Sequence, residues 1–84
     1  MNNRQRGTLK AIFSDPVRSN IEWAEIEALL RALGAEISEG RGSRVRIALK
    51  GRKAVFHRPH PEKETDKGAV KSMRDFLIAA GANP

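Results

Sequence analysis

The apolar positions of this chain change period as one reads along it. Trp23, Ile26, Leu30 and Leu33 recur at helical spacing, and Gly34 supplies a left-handed stop. Ser19 and Glu22 stand at capping-box spacing, with Asn20 as a competing N-cap, so the pattern predicts a helix over about 20–33. Glu22 and Glu25 near its start and Arg31 near its end suit the helix dipole. Upstream, Leu9, Ile12 and Phe13 share one face of a short helix that stops before Pro16, because the residue before proline avoids the α region.

The period then falls to two. Ala35 and Ile37 alternate with Glu36 and Ser38 as a short strand, and Gly40-Arg41-Gly42-Ser43 reads as a turn. Val45, Ile47 and Leu49 alternate with Arg44, Arg46 and Lys50, the signature of a half-buried strand. Gly51 interrupts it, and Lys53 to His57 forms the next strand. A two-residue turn at Lys50-Gly51 or at Gly51-Arg52 puts Ala54 and Phe56 on the apolar face, with Val55 and His57 beside the arginines. A three-residue loop would reverse that parity. Residues 58–66, with Pro59 and Pro61, read as a loop. Asp66 can then cap a second amphipathic helix carrying Ala69, Val70, Met73, Phe76, Leu77 and Ala80, ended by Gly81. The fold class is therefore α+β: a three-stranded antiparallel sheet with both helices on its apolar face. One domain spans residues 1–84, and residues 1–19 are an N-terminal extension holding the short helix.

Charge sharpens this picture. Residues 41–61 contain seven of the sixteen Lys and Arg, both histidines and no acid. Residues 1–40 carry five bases and six acids, and residues 62–84 carry four of each, so the net charge of +6 comes from the hairpin region. A clustered cationic face is an electrostatic footprint for polyanions. The chain has no cysteine, which excludes disulfides and thiolate metal sites. No apolar run approaches the ~18 residues of a membrane span; a cytoplasmic location and no membrane partner are expected.

The candidate chemistry follows from the residue types. Arg44, Arg46 and Lys53 project together as a phosphate platform, and Arg58 and Lys67 add flanking cations. His57 and His60 are candidates for general acid and base work on RNA, which supplies its own 2′-hydroxyl nucleophile. Proline on both sides of His60 excludes a helical metal-ligand pair, and the nearby Glu62, Glu64 and Asp66 read as solvated, so no metal is expected. Trp23 and the phenylalanines fall in apolar patterns, which leaves base stacking on aromatic rings unsupported.

Several blocks together resemble the HicA toxins of toxin–antitoxin modules. They are Leu29-Leu30 with Leu33-Gly34, Gly42-Ser43, Pro59-His60-Pro61, and Lys67-Gly68-Ala69-Val70-Lys71-Ser72 before Ala80-Gly81. The resemblance runs from about Ile21 to Gly81. It implies a double-stranded-RNA-binding-like α-β-β-β-α fold and a metal-independent endoribonuclease (an mRNA interferase) that cleaves mRNA and inhibits translation. It also implies a cognate HicB-like antitoxin and no cofactor. HicA proteins usually carry Gly-Ser-His where this chain reads Gly42-Ser43-Arg44, and that histidine is the catalytic residue of the family. Arginine is no general base near neutral pH, although it can hold a phosphate bidentately. The readings are then a branch using His57 or His60, a chain that binds RNA without cutting it, or a disabled chain. A basic hairpin that docks an acidic partner is the alternative outside RNA chemistry.

Overall fold

Alternation along the middle strand divides the molecule into two sides. The computed structural model describes residues 1–84 and comprises α1 (Asn3–Ile12), β1 (Ile21–Glu22), α2 (Trp23–Ala32), β2 (Glu36–Glu39), β3 (Arg44–Leu49), β4 (Arg52–His57), β5 (Glu64–Thr65) and α3 (Lys67–Ala79). Strands β2, β3 and β4 form one antiparallel sheet in that order, and β1 and β5 form a separate two-stranded ladder. Val45, Ile47, Leu49 and Phe56 turn inward and bury in one cluster with Ile26, Leu29 and Leu30 of α2 and Val70, Met73 and Leu77 of α3. Each fully buried aliphatic side chain of this kind stabilises by about 1.5–3 kcal/mol. Leu9 and Ile12 of α1 join the same cluster. The α+β arrangement is the expected one.

The short helix in the extension begins with a capping box between Asn2 and Gln5. Its C-terminus is held by Arg74 of α3, which donates to the Ile12 carbonyl at 2.9 Å and the Ser14 carbonyl at 2.8 Å. The cationic side chain thus satisfies carbonyls that a helix end leaves free.

The start of α2 departs from the expected capping box. Ile21 and Glu22 pair with Thr65 and Glu64, and the Trp23 amide donates to the Lys63 carbonyl at 3.0 Å. Glu22 becomes the N-cap and makes no side-chain capping bond. A pairing partner more than forty residues away outcompeted the local cap, and the same ladder puts a short strand where a loop was expected. The glycine stop does hold: Gly34 has φ 94°, and the Ala35 amide reaches back to the Leu30 carbonyl at 2.9 Å. Asp66 caps α3 by accepting from the Ala69 amide at 2.8 Å.

The hairpin turn fixes the register. Lys50 and Gly51 have φ 48° and 79°, both left-handed, as a two-residue type I′ turn requires. Leu49 therefore pairs with Arg52, Val45 with Phe56, and Arg44 with His57.

Candidate nucleic-acid interface

With β2 in register against β3, the open face of the sheet becomes a grid of three rows. Arg44 lies opposite His57, and Gly40 stands on its other side, its amide donating to the Arg44 carbonyl at 2.8 Å. Ser38, Arg46 and Val55 form the second row, and Glu36, Ala48 and Lys53 the third. Alternation puts these side chains on the side away from the helices. Glu36 is the only acid in the grid.

The first row is tightly built. A β-carbon on Gly40 would stand 3.1 Å from the Arg44 β-carbon and 3.2 Å from its carbonyl oxygen, so glycine lets the loop close over the start of β3. The resulting recess is lined by Gly40, Arg41, Arg44, Arg46 and Val55. Arg46 is anchored there by donating to the Glu39 carbonyl at 2.8 Å. Its remaining N–H groups, with those of Arg41 and Arg44, can take an anionic oxygen. His57 is exposed, and its Nδ1 lies 3.5 Å from Ser43 Oγ, a long contact.

Arg44, Arg46, Lys53 and His57 therefore share one face. The other three candidates do not join them. Strand parity sets Arg58, expected as a phosphate ligand, apart from that face, because the alternation that turns His57 outward turns Arg58 toward the helices. Its Nε donates to Glu27 at 2.7 Å and its NH1 to Glu39 at 2.6 Å. Those hydrogen bonds hold its guanidinium pKa above the usual arginine range. Glu27 is only 7% exposed and also accepts from the Trp23 indole and from Arg31. Burial pushes its carboxyl up, but the bonds and charges from Arg58, Trp23 and Arg31 outweigh that and leave it below the usual range. Glu39 is likewise held down, first by its hydrogen bond from Arg58. The three residues clamp the exit of β4 to α2 and β2.

Lys67 opens α3 and lines a different recess with residues 14–20. His60 is exposed in the 58–63 loop, where no side-chain hydrogen bond anchors it to the grid. Neither it nor His57 converges with Glu62, Glu64 and Asp66 into a metal-ligand cluster. Trp23 and Phe56 pack in the core with tilted rings, centroids 5.8 Å apart and planes at 40°, on the side of the sheet away from the open face. Arg41, Ser38 and Glu36 were not among the expected site residues. The period-two signal from β2 would have found the last two once its register was known.

An α+β domain of double-stranded-RNA-binding-like layout, closed by helices on one side and bare and cationic on the other, is the class this geometry defines. The chain belongs to the HicA family: the family model described as the HicA toxin of bacterial toxin–antitoxin systems matches residues 23–82. Membership identifies it as a toxin-family protein and implies a cognate antitoxin. Helix α1 and strand β1 lie outside the matched region. No curated protein and no solved structure matches the chain. No helix is long and apolar enough to cross a membrane.

Proposed function

We propose that this chain is the toxin of its module by acting as a metal-independent endoribonuclease on mRNA, and so inhibiting translation. The observation that carries the reading is the pairing of His57 directly opposite Arg44, the position where the family usually has its histidine. In this scheme Arg44 and Arg46 hold the scissile phosphate and stabilise its developing charge, and Lys53 holds a neighbouring phosphate. His57 takes the proton of the RNA 2′-hydroxyl, whose oxygen bonds to phosphorus as the bond to the 5′-oxygen breaks. The leaving oxygen takes a proton from solvent, and a 2′,3′-cyclic phosphate remains. Arg58 supports the reaction only indirectly, by fixing the end of β4.

The decisive experiment is a transcript-cleavage assay on the purified protein, with His57→Ala and His60→Ala made separately and together. Loss of cleavage in His57→Ala with retention in His60→Ala supports the assignment. The reverse result transfers the role to His60, and full activity in the double variant removes both. Arg44 itself favours a second reading, a module of the same fold that binds RNA without cutting it. That reading predicts salt-sensitive RNA binding with transcripts left intact.

A further inference from the structure

The second and third rows of the sheet enclose a slot that phosphate binding alone does not explain. It is lined by Glu36, Ser38, Arg46, Ala48, Lys53 and Val55, and it meets the arginine recess at Arg46 and Val55, which border both. Ala48 forms the floor, a small residue on the central strand. Its flanking neighbours are Glu36 on β2 and Lys53 on β4, two strand spacings, or about 10 Å, apart. Neither enters an ion pair with the protein. Val55 is 50% exposed beside them, a large apolar side chain on a face rich in cations.

We propose that this slot is a nucleobase subsite, and that the face takes single-stranded RNA with one phosphate in the arginine recess and an adjacent base over Ala48. The inference rests on the RNA reading above and adds a base preference to it. A planar heterocycle fits a shallow floor between two walls, and Val55 and the Arg46 guanidinium supply the flat contacts that aromatic rings supply elsewhere. The polar rims are of opposite kind. Glu36 only accepts hydrogen bonds, and Lys53 only donates them. A base with an exocyclic amine at one edge and an acceptor at another, such as cytosine or adenine, satisfies both rims. Uracil flanks its one N–H with two carbonyls, which repel the carboxylate. A duplex keeps its bases stacked and cannot deliver one to the floor.

The test is binding rather than cleavage. Labelled 2′-O-methyl hexamers of cytidine, adenosine and uridine lack the nucleophilic hydroxyl, so the full chain can be titrated against them by fluorescence anisotropy without turnover. A 2′-O-methyl duplex is run beside them. The cytidine and adenosine strands should bind about fivefold or more tightly than the uridine strand, and more tightly than the duplex. Glu36→Gln should bring uridine level with the others, and Ala48→Leu should weaken the favoured strands while preserving the helical circular dichroism. Arg44→Ala should weaken all strands alike. Equal binding of all three hexamers, or tightest binding of the duplex, overturns the base subsite while leaving phosphate recognition standing. If no strand binds, the subsite and the RNA reading fall together.

Discussion

Replacing Glu27 with glutamine tests the clamp under the sheet most directly. The buried carboxylate accepts from Arg58 Nε at 2.7 Å and Arg58 NH2 at 3.2 Å, with the Trp23 indole and Arg31 as further donors. Glutamine keeps the shape and one acceptor oxygen but loses the charge, and its amide nitrogen faces donors it cannot serve. Hydrogen bonds to charged groups contribute about 1.5–3 kcal/mol against roughly 0.5–1.5 for neutral ones. The Arg58 side chain is 32% exposed, so water offsets part of the loss. The expected destabilisation at pH 7 is about 1–3 kcal/mol, or roughly 5–20 °C in Tm for a domain of this size. Its pH dependence is the sharper test. Because the folded-state pKa of Glu27 lies below the ordinary value, its contribution is fully present above the unfolded pKa near ~4.3 and is lost as pH falls through the folded one. Urea unfolding of both proteins from pH 7 to pH 2.5 should show the stability gap narrowing once the wild-type carboxyl protonates. A gap of constant size across that range would refute the electrostatic account and leave only a packing defect.

Three further changes probe other parts of the fold. Thr65 is 2% exposed and its hydroxyl finds no hydrogen-bond partner, so Thr65→Val should raise stability by about 1 kcal/mol in urea unfolding; a loss would mean the hydroxyl is satisfied in solution. Lys50 holds φ 48° at the first turn position, and Lys50→Asn, which tolerates that region better, should stabilise by about 0.5–1 kcal/mol and raise the calorimetric Tm by a few degrees. Gly40→Ala forces its new methyl against Arg44, so it should reduce RNA binding nearly as much as Arg44→Ala while leaving the thermal melt within a few degrees of wild type; normal binding would show that the recess is not fixed by that contact.

The fold was legible wherever local pattern and tertiary packing agreed. Val45, Ile47 and Leu49 announced the middle strand, and Gly51 announced a tight turn in either of two registers; the left-handed Lys50 and Gly51 decide for the one that sets His57 opposite Arg44. The start of α2 was misread because its capping signal is local, whereas Ile21 and Glu22 are claimed by a distant strand whose two residues carry almost no pattern of their own. The inward turn of Arg58 was missed for a different reason. Composition grouped it with the hairpin cations, although extending the period-two count one residue past His57 would have sent it inward.

That single parity step separates two electrostatic environments that composition merges. On the inner side, Glu27 and Glu39 engage Arg58, so one of the hairpin region's cations belongs to a neutralised clamp and adds little to the outer field. On the outer side, Arg44, Arg46 and Lys53 face only Glu36, and no ion pair reduces them. The useful charge is therefore smaller than the sequence total but more directed. A net charge of +6 spread evenly would attract any polyanion weakly. Three cations, one imidazole and one carboxylate at fixed strand spacings can instead set both the path of a phosphate chain and the edge of a base. The clamp, buried at Glu27 but open to water at Arg58 and Glu39, keeps those spacings constant by fastening β4 to β2 and α2 beneath the face, and so bears directly on the RNA path proposed above.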